Sequence, residues 1–304
     1  MRLVVCAFAA LWLAPAAIAG GVSVELAAVG STLWSVSDAG LVAVDTRSGE
    51  VVARPLTPYA YPIRLSAFGG TLWVASVPNG FGSGAVTRIG AGRRRRATPL
   101  RLRRQGVFDV CAGPGVAWSV VGVRRRRVAR IDLSGRVRFV GLGSNPAWCA
   151  ADAAGGWFST EDGRLVRVDA QTSAVRTFAR VRGLGQVAAG YGFVWAVAPG
   201  VVVRVKESTG RATRIRFRGA VFSVAVGRRG AWILAGGETS TRLVLLETRT
   251  GRVRVARRLP GQIDSVLETP NALWAGGLDR GHRDTVLLRL DPRSLRVRRV
   301  VRLL

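Results

Sequence analysis

The most constraining feature of the sequence is a tryptophan that recurs seven times at nearly even spacing. Successive members lie 39, 45, 39, 38, 37 and 42 residues apart, and they are Trp34, Trp73, Trp118, Trp157, Trp195, Trp232 and Trp274. A turn-forming stretch with Gly or Asn precedes each of them, as in "GGTLW" and "NALW". Such a period is typical of repeat architectures, so the sequence predicts seven copies of one structural unit.

A second pattern follows each tryptophan: a β-branched strand, a polar turn and another strand, as in "VARIDLSGRVRFV". Asp45, Asp132, Asp169 and Asp291 stand at the start of such turns, where an aspartate can bond the backbone two residues on. Together with one strand before the Trp and the strand that carries it, each unit has four strands, named here a, b, c and d. Four strands in about 40 residues are typical of a β-propeller blade.

The chain length agrees with seven blades. Residues 1–19 have the features of a signal peptide: Arg2, an apolar stretch from Leu3 to Leu13 that is too short to span a bilayer, and "AIA" ending at Ala19. The alternative is a retained anchor helix. Removing 19 of 304 residues leaves 285, about 41 for each of seven blades. We expect residues 20–304 to form one all-β domain, a seven-bladed β-propeller with four antiparallel strands per blade.

This organisation also predicts where the protein resides and how its blades pack. Cleavage near Ala19 would leave a secreted, periplasmic or cell-envelope protein, monomeric and without a transmembrane segment. A single blade cannot cover both faces of its sheet, so the repeated Trp should pack between blades. Ring closure should rest on packing alone, because apart from Val22 to Val24 no strand is left over to pair across the first and last blades. Trp148 is out of register with the seven.

The repeats resemble the seven-bladed propellers of the group that includes YVTN-repeat, NHL-repeat and virginiamycin B lyase-like proteins. The residues that carry the resemblance are the G-x-L-W-V strand in "GGTLWVAS" and the hairpin in "ARIDLSGRVRFV". The resemblance covers the whole mature chain. It implies the fold and says little about function, because enzymes, sensors and scaffolds share this fold. For the lyases it implies a histidine and acidic residues around a metal at the channel mouth.

The charge is strongly positive, with 46 Lys and Arg against 18 Asp and Glu and a formal net charge of +28. Many arginines alternate along strand d, the outer edge of each blade, where charge blocks sheet-to-sheet aggregation. Two clusters are predicted to hold anions locally: Arg93, Arg94, Arg95 and Arg96 in blade two, and Arg124, Arg125, Arg126 and Arg127 in blade three. The expected partner is an anionic polymer or an acidic protein, bound in a salt-sensitive way. No nucleic-acid module is present, and sequence-specific nucleic-acid binding is not expected.

The natural ligand site in a propeller is the mouth of the central channel, where the a strands begin. Counting back from each Trp predicts a mostly polar ring of Glu25, Arg64, Asp109, Trp148, Gln186, Ser223 and Asp264. These residues are the predicted ligand-binding set. The alternative is that they simply line a wet channel.

Catalysis finds little support in the sequence, and we predict no catalytic residue and no cofactor. The single histidine, His282, lies in a rim loop between Arg280 and Arg283, and no nucleophile elbow or zinc motif is present. A Mg or Ca site would need only oxygens. Two sets could supply them: Glu25, Asp109 and Asp264, or Glu161, Asp162, Asp279 and Asp284. The favoured function is an exported binding module, and the alternatives are a Mg-dependent lyase or hydrolase and a cell-envelope scaffold.

The cysteines fit an exported protein. Cys6 would leave with the signal, and Cys111 and Cys149 lie on the a strands of blades three and four, which are neighbours. A pair in an exported chain suggests one disulfide between these blades. The alternative is two buried thiols that act as small hydrophobic residues.

Overall fold

The computed structural model describes residues 24–37, 40–55, 61–77, 84–90, 97–102, 105–122, 126–237, 240–281 and 283–303. Their strands form seven antiparallel sheets, each made of four consecutive strands. The predicted all-β, seven-bladed propeller is therefore confirmed. The predicted signal segment (residues 1–19), Arg93 to Arg96, Arg124, Arg125 and His282 lie outside the described residues. A helix of the length and apolarity needed to cross a membrane is not found in the described part of the chain.

The first three blades follow one another directly along the chain. Blade one contains β1 (Glu25–Val29), β2 (Thr32–Ser37), β3 (Gly40–Asp45) and β4 (Val51–Ala53). Blade two contains β5 (Tyr61–Phe68), β6 (Thr71–Val77), β7 (Gly84–Gly90) and β8 (Ala97–Leu102). Blade three contains β9 (Val107–Gly113), β10 (Val116–Val121), β11 (Arg127–Asp132) and β12 (Val137–Gly141).

The remaining four blades repeat the pattern. Blade four contains β13 (Pro146–Ala151), β14 (Gly155–Thr160), β15 (Arg164–Asp169) and β16 (Val175–Arg180). Blade five contains β17 (Val187–Gly190), β18 (Phe193–Ala198), β19 (Val201–Lys206) and β20 (Ala212–Arg216). Blade six contains β21 (Val221–Gly227), β22 (Gly230–Gly237), β23 (Ser240–Leu246) and β24 (Val253–Pro260). Blade seven contains β25 (Gln262–Glu268), β26 (Leu273–Leu278), β27 (Thr285–Leu290) and β28 (Val297–Leu303).

The hydrophobic core is divided among the interfaces between blades. Each repeated Trp lies on strand b and packs into a cluster that includes residues of the next blade; Trp34, for example, packs with Leu65 and Leu72 of blade two. The last member, Trp274, packs with Leu33 and Val42 of blade one. All seven are at most 4% exposed. Burying a large aromatic side chain is strongly favourable, so these residues hold the blades together as predicted.

The turns between strands c and d are fixed by aspartate side chains, as the sequence predicts. Asp45 Oδ1 accepts hydrogen bonds from the backbone nitrogens of Arg47 and Ser48 at 2.9 and 2.7 Å. Equivalent bonds to the nitrogen two residues on are made by Asp132, Asp169 and Asp291. These bonds favour the ionised carboxylate, as does the Ser134 hydroxyl, which is the main cause at Asp132. Together they hold the pKa of all four groups below its usual range.

Arginine side chains link neighbouring blades on the outer side of several interfaces. Arg204 on β19 donates to the backbone carbonyls of Thr248 and Arg249 in the c–d turn of blade six. Carbonyls of the next c–d turn are contacted in the same way by Arg88, Arg257 and Arg299. The arginine excess is thus partly structural, because the planar guanidinium can donate several hydrogen bonds at once.

The ring closes between blades one and seven without a shared strand among the described residues. Val24 is buried against Trp274 and Leu287 of blade seven. The backbone nitrogen of Val24 donates to Asp264 Oδ2 at 3.3 Å. Packing closes the ring as predicted, and this side-chain hydrogen bond supplements it.

Candidate functional site

The polar ring at the start of the a strands has a constant position relative to the repeated Trp. Each member lies two residues before the strand a residue that pairs with the Trp of strand b, as Arg64 lies before Ser66, the partner of Trp73. Six members lie on strand a itself, and Gln186 directly precedes β17. The members, called here the channel ring, are Glu25, Arg64, Asp109, Trp148, Gln186, Ser223 and Ser265. Six of these are the predicted residues, and the seventh differs.

The prediction of Asp264 as the seventh ring member is wrong by one position. In blade seven Ile263 pairs with Gly277 and Ser265 pairs with Gly276, which leaves Asp264 as the extra residue of a β-bulge. A bulge turns one side chain away from the regular alternation. Bulges at the same place directly precede the ring members of blades two, three, four and six, so Ser265 is the regular ring position of blade seven. It is nine residues before Trp274, the same spacing that the other six blades have, and this constant spacing is the signal that could have found it.

The a strands enclose a central cavity of about 690 Å³ that all seven ring residues line. The end of the cavity at the ring is called here the channel mouth. Side chains from seven separate blades therefore meet in one space of the size that small-molecule sites have. Trp148 projects into it, which explains why this residue breaks the Trp register.

Several polar side chains at the mouth bind the backbone of the next blade. Asp109 Oδ2 accepts from the backbone nitrogen of Cys149 at 2.7 Å, and its Oδ1 accepts from that of Val110 at 2.9 Å. Gln186 Oε1 accepts from the backbone nitrogen of Val224 at 2.8 Å. Strand a is the inner edge of each sheet, and its unpaired backbone groups need such partners. Part of the ring is therefore structural, a role that the sequence analysis missed.

Three other residues at the mouth contact one another through their side chains. Arg64 Nη1 lies 2.7 Å from Glu25 Oε1, and these two side chains are only 17% and 15% exposed. The Arg64 guanidinium carbon lies 4.5 Å from the centroid of the Trp148 ring. Arg64 belongs to blade two, Glu25 to blade one and Trp148 to blade four. The guanidinium therefore lies between an anionic group and an electron-rich aromatic face, the surroundings that a cation favours.

Burial changes the acidity of the carboxyl groups at the mouth. It raises the pKa of Asp109 to about 7, although the positive charge of Arg64 opposes the shift. Burial also raises the pKa of Glu25, against the opposing effect of Arg64, and that of Asp264. Asp109 is thus poised to titrate near neutral pH, and strongly shifted groups in a cavity are typical of functional sites.

The carboxylates do not fit the metal site that the resemblance implies. Asp109 uses both oxygens for backbone nitrogens, Asp264 Oδ2 accepts from Val24, and Glu25 is paired with Arg64. The described residues hold no group of three or more His, Cys, Asp or Glu arranged around a metal position. The four rim carboxylates are also engaged by other residues. Glu161 accepts a hydrogen bond from Asn145, and Asp162 forms an ion pair with Arg164. Asp279 accepts a hydrogen bond from the backbone nitrogen of Arg283, and Asp284 lies 3.7 Å from Arg302. These carboxylates are therefore engaged with other protein groups and do not fit the metal site of the lyases.

Cys111 and Cys149 form a disulfide between blades three and four, with their Cα atoms 5.8 Å apart. Cys111 pairs with Trp118 across its sheet, whereas Cys149 pairs with Phe158, the residue after Trp157. The one-residue offset places the two side chains on facing sides of adjacent blades. The bond lies beside the Asp109 contact and fixes this side of the mouth.

Two members of the predicted basic clusters, Arg126 and Arg127, are among the described residues, and they differ in their surroundings. Arg127 is the first residue of β11, and its guanidinium carbon lies 4.3 Å from the centroid of the Phe139 ring on β12. Arg126 is exposed, and its backbone nitrogen donates to Asn145 Oδ1 at 3.4 Å. Of the two, Arg126 is the one with a side chain open to solvent.

The opposite end of the cavity carries acidic residues that the sequence analysis did not single out. Asp152 Oδ2 accepts from the indole nitrogen of Trp157 at 2.6 Å, and Glu268 Oε2 accepts from that of Trp232 at 2.8 Å. Burial, together with the nearby charge of Asp152, raises the pKa of Glu207. Asp152 and Glu268 therefore serve as hydrogen-bond acceptors for the blade tryptophans.

Comparison with known proteins supports the fold and leaves the function open. No protein-family model and no curated protein matches the sequence. Among solved structures, the chain is similar to "Dihydro-heme d1 dehydrogenase NirN in complex with DHE", with 14% identity and a TM-score of 0.61 over 92% of this chain and 66% of that one. It therefore spans slightly less than two thirds of the length of NirN.

A second similar structure is a putative 6-phosphogluconolactonase from Bacteroides uniformis ATCC 8492, with 9% identity and a TM-score of 0.66 over 90% of this chain and 93% of that one. A third is the computationally designed Ika8 protein, with 12% identity and a TM-score of 0.56 over 84% of this chain and 93% of that one. A dehydrogenase, a lactonase-like protein and a designed protein share this architecture, so the similarity shows the β-propeller fold and no activity.

Proposed function

We propose that the chain is a non-catalytic β-propeller that binds a small molecule at the channel mouth. The observation that carries the proposal is the cluster of Glu25, Arg64 and Trp148, held by three different blades at one end of a cavity of about 690 Å³. A charged pair and an aromatic face converge there, while the other polar groups of the mouth mostly serve the backbone. Convergent polar groups in a concave space favour ligand binding.

We also propose that the protein is exported. The support comes from the signal-like residues 1–19 and from the disulfide between Cys111 and Cys149. Disulfides persist in oxidising compartments and are rare in the cytosol. Sequencing the N-terminus of the protein recovered from outside the cytoplasm tests this, and we expect it to begin at Gly20. An intact Met1 on a protein that remains in the cytoplasm would contradict it.

The ligand proposal is tested by a thermal-shift screen of mature protein against small cations, anions and neutral sugars. Each compound that raises the melting temperature is retested on Trp148→Ala and on Arg216→Ala, which removes an exposed arginine of strand β20. We expect the stabilisation to disappear in Trp148→Ala and to persist in Arg216→Ala. Equal stabilisation of both variants would place binding elsewhere, and a screen without hits would count against the proposal.

A second candidate function is binding of an anionic polymer to the outer surface. The observation that favours it is a groove between blades six and seven, with a volume of about 490 Å³, lined by Arg257, Arg258 and Arg280. All three side chains are exposed, and Arg257 alone has a described partner, the carbonyl of Ser294 at 3.3 Å. Clustered guanidinium groups attract sulfate, phosphate and carboxylate groups.

This second candidate is tested with heparin as a model polyanion. Binding to Arg258→Gln/Arg280→Gln is compared with binding to Arg216→Gln/Arg254→Gln, which removes two exposed arginines from other places while keeping the net charge equal. We expect a greater loss of affinity in the groove variant. Equal losses would show that only the overall charge matters.

A further inference from the structure

The channel mouth is rich in carboxyl groups, whereas the protein as a whole is rich in arginine. The chain carries a formal net charge of +28. At the mouth, the described ionisable groups are three carboxyls, Glu25, Asp109 and Asp264, and one guanidinium, that of Arg64. The neutral residues beside them are Trp148, Gln186, Ser223 and Ser265. Arg64 is the one cationic group described among these carboxyls, and its ion pair with Glu25 marks a place that accommodates a positive charge.

Arg64 already occupies a position suited to such a group. Its Nη1 atom lies 2.7 Å from Glu25 Oε1, and its guanidinium carbon lies 4.5 Å from the centroid of the Trp148 ring. The carboxylate and the indole come from blades one and four, whereas Arg64 reaches them from blade two. Its aliphatic stem is unbranched and rotatable, so a competing cation can replace the guanidinium while Arg64 turns toward solvent.

We propose that Glu25 and the face of Trp148 form a site for a small organic cation, a guanidinium or alkylammonium group, which Arg64 fills until the ligand displaces it. The inference rests on the proposed function, because it names the ligand class of the same mouth. It makes Arg64 a competitor of the ligand and Glu25 and Trp148 the residues that hold it. A ligand with this group would present its remaining part to the cavity behind the ring.

An anionic ligand fits the same geometry poorly. It would have to approach Arg64, whose charge Glu25 already balances, in the presence of Asp109 and Asp264. An anion would use Arg64 as its main partner, whereas a cation competes with it. The two ligand classes therefore predict opposite effects of removing Arg64, and this difference in sign makes the proposal testable.

The test uses n-butylguanidinium and n-butylammonium as cationic probes, with butyrate and butanol as anionic and neutral probes at constant ionic strength. Binding is followed by tryptophan emission, for which Trp148 is the responsive group because the seven repeated Trp residues are at most 4% exposed. We expect Arg64→Gln to bind the cations at about tenfold lower concentration than the unchanged chain. The double variant Glu25→Gln/Arg64→Gln should lose this gain.

A second readout covers the case in which Arg64→Gln folds poorly with Glu25 left unpaired. n-Butylguanidinium should raise the melting temperature of Arg64→Gln and leave that of Glu25→Gln/Arg64→Gln unchanged. The inference would be overturned if Arg64→Gln bound the cations no better than the unchanged chain and n-butylguanidinium did not raise its melting temperature. A change in Trp148 emission with butyrate or butanol, but not with the cations, would overturn the inference. It would leave the proposed function standing. No change in Trp148 emission with any probe would count against both the inference and the proposed function.

Discussion

Asp109 Oδ2 lies 2.7 Å from the backbone nitrogen of Cys149, and the disulfide of that same cysteine runs back to Cys111 in the blade of Asp109. Blades three and four are therefore joined at the channel by a hydrogen bond and a covalent bond within a few residues. This double link stabilises a ring in which each strand a is the inner edge of its sheet and has no neighbouring strand on the channel side. It also fixes the walls beside Arg64 and Trp148, on which a ligand would depend.

Replacement of Asp109 by asparagine should destabilise the protein. The carboxylate accepts backbone hydrogen bonds on both oxygens, from Val110 and Cys149, and an amide can accept only one of them. Loss of one buried hydrogen bond costs about 1–3 kcal/mol of the free energy of unfolding. Urea unfolding at about pH 5, where the raised pKa of the folded carboxyl keeps its ionisation from offsetting this loss, measures the cost. Glu50→Gln, the same carboxyl-to-amide change at an exposed position, serves as the control. An unchanged midpoint for Asp109→Asn would contradict the assigned contact.

The same carboxyl should make stability depend on pH. Its pKa is raised from 3.8 to about 7 in the folded state, so folding favours the protonated form. The stability that it contributes is complete below about pH 4 and is lost as the pH rises toward 7, by up to about 1.4 kcal/mol per pH unit. The unfolding free energy of the unchanged chain minus that of Asp109→Asn should therefore fall between pH 4 and pH 7. A difference that is constant or that rises with pH would contradict the shifted acidity.

Removal of the disulfide should lower stability because the bond closes a long loop. Cys111 and Cys149 are 38 residues apart, and restricting a loop of this length in the unfolded chain is worth up to about 4 kcal/mol. Cys111→Ser/Cys149→Ser should unfold at lower denaturant concentration than the oxidised chain, whereas reductant should not affect the variant. Two free thiols in protein prepared without reductant would contradict the bond.

The interblade arginines should not tolerate lysine. Arg204 donates to the carbonyls of Thr248 and Arg249 and lies 5.9 Å from the centroid of the Trp195 ring. Both carbonyls accept from the same atom, Nη1, while the planar guanidinium also lies near the Trp195 ring, a contact that the compact ammonium of lysine does not reproduce. Arg204→Lys should therefore cost about 1 kcal/mol. Arg216→Lys, at an exposed position, is the matched control. Equal melting temperatures of the two variants would show that the link contributes nothing.

Ring closure should be the first interface to open. Blades one and seven share packing around Val24 and Trp274 and the bond from Val24 to Asp264, while the link between blades three and four is covalent. Hydrogen exchange should therefore report lower protection in β1 and β25 than in β9 and β13, because opening free energies differ across a structure. Equal protection of the four inner strands would indicate that the ring opens as a whole.

The fold was predictable from the sequence because its signals repeat. Seven copies of the Trp strand and the Asp turn reinforce one another, so the blade count did not depend on any single residue. The aspartate turns were predictable for a local reason, since Asp45 and its equivalents bond nitrogens two residues away.

The site was less predictable because its geometry depends on contacts between blades. The predicted ring member Asp264 is the extra residue of the bulge directly before the ring position, and the constant spacing of nine residues to the Trp already pointed to Ser265. The pairing of Arg64 with Glu25 and Trp148 joins three blades that are distant in sequence, and no local pattern indicates it. The backbone bonds of Asp109 and Gln186 were missed for the same reason.

The most direct test of the account is whether a small molecule contacts Trp148 from within the channel. The strongest compound from the thermal-shift screen is titrated into the mature chain and into Trp148→Phe while tryptophan emission is recorded. We expect a saturable change in tryptophan emission in the unchanged chain and none in Trp148→Phe, because the seven repeated tryptophans are at most 4% exposed. The same change in both proteins would show that the compound binds away from the mouth and would contradict the proposed function.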